Sequence, residues 1–213
     1  MAVTPLNTPL DIAAQGPVVP VIVIDRVDDA LPLAEALLAG GVRVLEVTLR
    51  TEAALPAIER IARALPEALV GVGTVVNADD ARRASEAGAR FAVSPGYTSE
   101  VGSACKRLGL PLLPGVATSS EIMTALSDGF SFLKLFPAEA VGGQALLKAW
   151  ASPFGQVSFC PTGGITPASA PAYLALPNVR CVGGSWLTPA DAVRAGDWSR
   201  ITELAKAAQA LPR

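Results

Sequence analysis

The chain of 213 residues contains no histidine, and this absence removes several kinds of chemistry at once. Catalytic triads with a histidine base, histidine general bases and the usual histidine-rich zinc sites are all excluded. Any acid–base chemistry must therefore come from glutamate, aspartate, lysine, tyrosine, cysteine or water.

Cysteine is also scarce, with only Cys105, Cys160 and Cys181 and no pair in a CxxC arrangement. An odd number of cysteines in a cytoplasmic chain favours free thiols over a disulfide framework. Cys160 and Cys181 lie in apolar, strand-like runs, where small buried thiols are common. We therefore expect packing roles for both.

Charge is sparse and long apolar runs are missing. Charged residues make up 17% of the chain, the net charge is −2, and no basic stripe indicates binding to nucleic acid or to an anionic membrane. No apolar run approaches the length of about 20 residues that a membrane-spanning helix needs. No basic segment followed by an apolar core opens the sequence, so we expect a cytoplasmic protein.

What the sequence does contain is a recurring unit: an amphipathic segment, a glycine, and a short apolar run. Glycine after a helix provides a left-handed cap that turns the chain back toward a sheet. The unit occurs as Leu33–Gly41 before Val44–Thr48, Asp79–Gly88 before Phe91–Ser94, Ser99–Gly109 before Leu112–Gly115, and Glu121–Gly129 before Phe132–Leu135.

Alternation of helices with buried-looking strands is typical of a parallel sheet covered by helices. Eight candidate strands predict a (β/α)8 TIM barrel over residues 17–213, preceded by an N-terminal helix over residues 1–16 and forming one domain over 1–213. A doubly wound open sheet is the alternative. The strands are expected near Val18–Ile24, Val44–Thr48, Leu69–Gly73, Phe91–Ser94, Leu112–Gly115, Phe132–Leu135, Ser158–Cys160 and Val179–Val182.

Lys134 lies in the middle of one of these apolar strands, on the same face as Phe132 and Phe136. A buried ammonium is costly unless it is paired, and a lysine that gives up its proton becomes a nucleophile. The residue therefore predicts a Schiff-base enzyme. The alternative is a structural lysine that extends its ammonium into solvent at the strand end.

The second strand carries polar residues on one face. Alternation puts Glu46, Thr48 and Arg50 together and directs their apolar neighbours toward the helices. Because function in such a barrel lies at the carboxyl ends of the strands, these three side chains are expected at the barrel mouth. A structural ion pair between Glu46 and Arg50 is the alternative.

Glycine pairs follow the last two strands, in Pro161–Ile165 and in Val182–Ser185. Glycines let backbone N–H groups approach an anion closely, and barrel enzymes often hold phosphate after strands seven and eight. The two turns together predict a phosphate site. A similar turn, Gly71–Thr74, ends the third strand and places a hydroxyl at the mouth, although ordinary turn chemistry explains it about as well.

Seven motifs, in order and with compatible spacing, resemble the 2-keto-3-deoxy-6-phosphogluconate (KDPG) aldolases, a family that also includes 4-hydroxy-2-oxoglutarate (KHG) aldolases. The resemblance runs from about Pro17 to the C-terminal helix. The motifs are Leu45–Arg50, Gly73–Val75, Ser94–Gly96, Pro114–Val116, Leu133–Pro137, Thr162–Ile165 and Val182–Ser185.

The resemblance implies a role for each matching residue. Lys134 would form the Schiff base, Glu46 would be the general acid–base, and Arg50 and Thr74 would hold the carboxylate of the pyruvate moiety. Pro95 and Phe136 would form apolar walls. The aldehyde and phosphate end would be lined by Thr162, Gly163, Gly164, Gly184 and Ser185.

The same resemblance implies a class I aldolase that cleaves KDPG to pyruvate and glyceraldehyde 3-phosphate, forms a homotrimer, and uses neither metal nor cofactor. Its substrate would be a phosphorylated keto sugar acid, with 4-hydroxy-2-oxoglutarate as a further substrate. Two alternatives are a phosphate-binding barrel isomerase or synthase, and a non-catalytic sugar-phosphate sensor. Neither requires a desolvated lysine beside Glu46.

Overall fold

A computed structural model describes residues 6–212 of the chain. The first helix, α1, covers Leu10–Ala14. It lies within the N-terminal helix expected over residues 1–16, of which residues 1–5 fall outside the described part. Residues 6–9 precede the helix as irregular chain.

The strands are short, and every strand pairing among the described residues is parallel. This confirms the predicted α/β class with a parallel sheet. The strands are β1 (Val18–Ile22), β2 (Val44–Thr48), β3 (Leu69–Gly73), β4 (Ala92–Val93), β5 (Leu112–Leu113), β6 (Gly115–Val116), β7 (Phe132–Leu135), β8 (Ser158–Pro161) and β9 (Val182–Gly184).

Helices connect the strands. They are α2 (Ala30–Ala39), α3 (Ala54–Ala64), α4 (Ala78–Glu86), α5 (Ser99–Arg107), α6 (Ser119–Ser127), α7 (Gly143–Trp150), α8 (Ala170–Leu174), α9 (Ala190–Ala195) and α10 (Trp198–Gln209), with 3-10 turns at Val27–Asp29 and Glu139–Val141. The predicted glycine caps are confirmed at Gly88, Gly109 and Gly129, whose φ angles of 92°, 63° and 84° are left-handed.

The strands differ from the prediction of one eight-stranded barrel sheet. Six of them form a sheet in the order β5-β4-β3-β2-β1-β9, and the other three form a sheet in the order β6-β7-β8. The predicted fifth strand is divided at Pro114, because proline has no N–H to donate to a ladder. Two isolated parallel bridges, one between Phe159 and Val179 and one between Thr162 and Gly183, link the region of β8 to the segment around β9.

Alternation along the strands creates two apolar clusters. The inner cluster includes Val44, Leu69, Phe91 and Phe132, together with Ile12 from α1. The outer cluster contains the intervening strand residues and the buried faces of the helices. In the described part of the chain the buried polar side chains, apart from Ser158 at the start of β8, lie in the middle of a strand or toward its carboxyl end; they are Glu46, Thr48, Ser94, Lys134, Ser158 and Thr162.

The three cysteines are buried and none of them forms a disulfide, as the sequence predicts. Cys160 and Cys181 belong to the inner cluster, which confirms their packing role, and Cys105 belongs to the outer one. Within residues 6–212, no helix combines the length and the apolar character needed to cross a membrane.

Candidate active site

Lys134 lies in the central strand of the three-stranded sheet, in register with Gly115 on one side and Cys160 on the other. Its backbone N–H donates to the carbonyl of Pro114 at 2.8 Å. The backbone therefore fixes the position from which the side chain projects. The residue is only 4% exposed, so its ammonium does not extend into solvent as the structural alternative required.

The amine of Lys134 contacts a carboxylate and an aromatic ring. Its Nζ lies 3.4 Å from Oε1 of Glu46, which is itself 2% exposed. The same Nζ lies 5.1 Å from the centre of the Phe136 ring, close enough for a cation–π interaction. Glu46 thus pairs with the lysine, and the alternative of a Glu46–Arg50 structural pair is wrong.

Glycine at position 73 makes room for the carboxylate. A Cβ atom there would lie 2.4 Å from Oε1 and 2.8 Å from Cγ of Glu46, inside van der Waals contact. Gly73 is in register with Thr48, two residues beyond Glu46 on the neighbouring strand. Because Gly73 has no side chain, the Glu46 side chain can occupy this position in the interior.

The other two polar residues of the second strand have different environments. The hydroxyl of Thr48 donates to the carbonyl of Ile22 at 2.9 Å, which ties β2 to β1. Arg50 follows β2 in an exposed turn and makes no ion pair within the described part of the chain. Its guanidinium is therefore available to an external anion.

Thr74 and Pro95 follow the next two strands. Thr74 has a φ of 65° and is the one non-glycine residue between 6 and 212 with positive φ. This conformation is unfavourable for a β-branched side chain, and such outliers cluster at functional sites. Pro95 is half-buried, and a Cβ at Gly115 would lie 2.4 Å from its carbonyl oxygen, so the Pro95 loop packs closely on β6.

Thr162 lies at the end of β8, where it is buried. Its hydroxyl donates to the carbonyl of Cys160 at 3.4 Å. A Cβ at Gly183 would lie 2.1 Å from that hydroxyl, so glycine at 183 is required for the threonine to occupy this position. The last strand and the end of β8 therefore approach each other closely here.

The two glycine turns flank this point. Gly163 and Gly164 have φ angles of 100° and 82°. The N–H groups of Gly164 and Ser185 donate to no backbone carbonyl among residues 6–212 outside the regular elements. Gly184 is buried against the ring of Trp186, and Ser185 is exposed. Backbone N–H groups beside glycines suit an anion.

A cavity of about 690 Å³ opens beside Ser185. Val21, Val23, Arg26, Trp186 and Arg194 contribute to its walls. Lys134 and Glu46 do not line it, because the pair is buried deeper in the interior. The chemistry of the buried pair, rather than the size of this cavity, makes Lys134 and Glu46 the candidate reactive centre.

Sequence reasoning missed one pair next to the site. The hydroxyl of Tyr173 donates to Oε1 of Glu139 at 2.6 Å. Glu139 follows the Lys134 strand, and Tyr173 belongs to α8, 34 positions further along the chain. No sequence spacing indicates such a contact, because it depends on how α8 packs.

A buried amine beside a buried carboxylate, at the carboxyl ends of parallel strands, is typical of lyases that work through a lysine Schiff base. The fold and the pair therefore define the class as that of the class I aldolases.

Comparison with known proteins gives the family. Residues 11–204 match the KDPG and KHG aldolase family. The chain is 56% identical to the 2-dehydro-3-deoxy-phosphogluconate aldolase of Pseudoalteromonas atlantica over 94% of this chain and 93% of that protein. It is also 56% identical to the KHG/KDPG aldolase of Escherichia coli, over 92% of each chain.

A solved structure agrees with these relatives. KDPG aldolase from Legionella pneumophila, with pyruvate captured as a covalent carbinolamine intermediate, has a TM-score of 0.92 and 51% identity over 93% of this chain and 97% of that one. The chain belongs to the KDPG and KHG aldolase family, and it is a lyase.

Proposed function

We propose that this chain cleaves KDPG to pyruvate and glyceraldehyde 3-phosphate through a Schiff base on Lys134. The observation that carries the proposal is the 3.4 Å approach of its Nζ to Oε1 of Glu46, with both side chains buried. Glu46 is close enough to take the ammonium proton, which leaves a neutral amine as the nucleophile. The covalent pyruvate intermediate of the Legionella relative supports the same chemistry.

Arg50 and Thr74 hold the carboxylate of the substrate. The guanidinium of Arg50 is exposed and has no ion-pair partner within residues 6–212, and its planar fork suits a bidentate grip on a carboxylate. Thr74 lies at the end of the adjacent strand in a conformation that is unfavourable for it. Arg50 lies just beyond β2 and Thr74 just beyond β3, on neighbouring strands.

The reaction then follows from the amine. Lys134 attacks the C2 ketone to give a carbinolamine, and Glu46 returns the proton it took to the carbinolamine hydroxyl, which leaves as water; this gives an iminium and makes Glu46 a carboxylate again. Glu46, directly or through one water, removes the proton of the C4 hydroxyl. The C3–C4 bond breaks, its electrons move into the iminium to give an enamine, and glyceraldehyde 3-phosphate leaves. Protonation of the enamine at C3 and hydrolysis release pyruvate and restore the amine.

The far end of the substrate lies against the glycine turns. Gly163, Gly164, Gly184 and Ser185 present N–H groups and a hydroxyl to the phosphate, and Thr162 faces the hydroxyls of the substrate. The cavity beside Ser185 provides space at this end. Apolar walls come from Pro95 and from Phe136, whose ring already contacts the amine of Lys134.

The same proposal includes a closed (β/α)8 barrel that forms one domain over residues 1–213, with its N-terminal helix inside residues 1–16. The bridges at Phe159–Val179 and Thr162–Gly183 support closure between the two sheets. Pro114 joins β5 of the larger sheet to β6 of the smaller one, and its carbonyl accepts from the backbone N–H of Lys134, which supports closure on this side too.

We also propose a cytoplasmic homotrimer. Val76 and Met123 are 59% and 63% exposed, and large apolar side chains on the surface favour an interface between copies of the chain. Light scattering after size-exclusion chromatography measures the mass: three times 21.8 kDa supports the trimer, and 21.8 kDa contradicts it.

The experiment that tests the activity is pyruvate release from KDPG, its C4 epimer and 4-hydroxy-2-oxoglutarate, each with a chelator present. Fast release from KDPG alone supports a metal-independent enzyme of gluconate-type stereochemistry. Release from 4-hydroxy-2-oxoglutarate as well supports a dual range, consistent with the name of the Escherichia coli relative. No release from any substrate would overturn the proposal and favour the isomerase or sensor alternatives.

A further inference from the structure

The loop that follows the Lys134 strand is hydrogen-bonded to the glycine turn after β8, which contains Gly163 and Gly164. The N–H of Ala138 donates to the carbonyl of Thr162 at 2.8 Å, and the N–H of Glu139 donates to the carbonyl of Gly163 at 3.1 Å. The chain leaving the lysine strand thus continues alongside the turn that follows β8. These two hydrogen bonds couple the position of this loop to that of the glycine turn.

The side chain of Glu139 also packs on that turn. A Cβ at Gly164 would lie 2.5 Å from Cγ and 2.7 Å from Cβ of Glu139. The methylene groups of Glu139 therefore occupy the space beside Gly164. Glycine at position 164, in its left-handed conformation, leaves the space that these methylene groups fill.

Tyr173 holds this glutamate in place. Its ring is fully buried, and its hydroxyl donates to Oε1 of Glu139 at 2.6 Å and accepts the backbone N–H of Gln144 at the start of α7. Burial, reinforced by the carboxylate, raises the pKa of Tyr173, so the hydroxyl remains a donor. A Cβ at Gly143 would lie 2.6 Å from the phenol oxygen, so glycine is needed at 143 too.

We infer that the Tyr173–Glu139 hydrogen bond positions the Gly163–Gly164 turn and thereby sets the affinity of the site for substrates that end in a phosphate. Glu139 and Tyr173 are positioning residues, which act through the glycine turn and touch neither the lysine nor the ketone. The inference rests on the proposed function, since it assigns the phosphate to that turn. It makes the hydrogen bond a determinant of selectivity for phosphorylated over unphosphorylated substrates.

The test compares the KM for KDPG with that for 4-hydroxy-2-oxoglutarate, which carries no phosphate. Tyr173→Phe and Glu139→Ala should raise the KM for KDPG roughly three- to tenfold, the value of one lost hydrogen bond. We expect kcat for KDPG and KM for 4-hydroxy-2-oxoglutarate to change less than about twofold, because neither depends on the phosphate turn. Glu139→Gln should restore the wild-type KM, since its amide oxygen still accepts from Tyr173.

A matched control is available because the chain has two tyrosines, and each donates to a carboxylate. Tyr97 donates to Asp128 at 2.7 Å, away from the glycine turns, so Tyr97→Phe should leave the ratio of the two KM values unchanged. Glu139 is exposed, so Glu139→Ala does not open the core, and the alanine and glutamine variants decide the question if Tyr173→Phe fails to fold.

Three results would overturn the inference: an unchanged KM for KDPG in Glu139→Ala, an equal rise for both substrates, or the same shift in Tyr97→Phe. Each of these leaves the aldolase proposal standing, because the wild-type protein still releases pyruvate. Failure of the wild-type protein to cleave KDPG is a separate outcome, which overturns the proposed function and the inference together.

Discussion

Oε1 of Glu46 lies 3.4 Å from Nζ of Lys134, although the two residues are 88 positions apart in the sequence. They belong to β2 and β7, which lie in different sheets and do not pair. Their contact therefore crosses the interior of the fold. Removing two charges from water is costly, and replacing such a pair by apolar residues is often neutral or stabilising. Stability alone thus gives little reason to bury this pair, whereas the proposed Schiff-base chemistry uses an amine beside a base.

We expect Lys134→Met to reduce the release of pyruvate from KDPG to the background rate. Methionine matches the unbranched shape of lysine but has no amine to attack the ketone. The same variant should gain no mass when it is treated with pyruvate and borohydride, which reduces an iminium to a stable amine. Lys148→Met, at an exposed position of α7, is the matched control. Wild-type turnover by Lys134→Met would refute the Schiff-base mechanism.

Glu46→Gln should separate proton transfer from covalent bond formation. Loss of a general base lowers kcat by roughly 10²- to 10⁴-fold, whereas the amine of Lys134 is still present to form an iminium. Mass spectrometry after borohydride treatment should therefore still detect the pyruvate adduct in this variant. If Glu46→Gln cleaves KDPG at the full rate, water or another group is the base.

Gly73→Ala tests the space that the carboxylate occupies. A Cβ at this position would lie 2.4 Å from Oε1 of Glu46, so the carboxylate must shift from its present position beside the amine. A displacement of about 1 Å in a catalytic group can cost roughly 10²-fold in rate, and we expect a loss of kcat of that order. Gly155→Ala is the control, because its nearest contact would be an ordinary 3.7 Å. Unchanged kcat in Gly73→Ala would show that the glutamate position does not matter.

Periodicity was sufficient to predict much of this site. Alternation along β2 places Val44 in the inner cluster and Leu45 and Val47 in the outer one, as the sequence indicates. The inward direction of Glu46 follows from that alternation alone. Lys134 could be identified because it breaks the local pattern: it is a charged residue in the middle of an apolar strand.

Long-range packing and backbone conformation were beyond prediction from the sequence. The 3.4 Å contact depends on how two sheets face each other, and the Tyr173–Glu139 bond depends on where α8 packs. The positive φ of Thr74 runs against the preference of β-branched residues, so no propensity indicates it. The division of the fifth strand was predictable from Pro114, because proline has no N–H to donate to a strand ladder.

The stability of the chain should depend on pH through Asp128. Hydrogen bonds from the hydroxyl of Ser99 and then from that of Tyr97 lower the pKa of this carboxyl below its ordinary value of 3.8. The folded state therefore favours the carboxylate, so the stabilisation is present above pH 3.8 and is lost as the pH falls through the lowered value. Ser99→Ala should lower Tm at pH 7, with a smaller decrease at about pH 3. An equal decrease at both values would mean that the hydroxyl stabilises the fold without regard to charge.

The three thiols should react slowly in the native protein. All are buried, and burial raises the pKa of Cys105 to about 11. The thiolate is the reactive species, and at pH 8 only a small fraction of such a thiol is ionised. We expect a chromogenic disulfide reagent to label the native chain slowly and to titrate three thiols once the chain is unfolded. Labelling of the native chain should therefore follow the rate at which the protein opens locally. Rapid labelling of the native protein would contradict the packing that places these cysteines in the two apolar clusters.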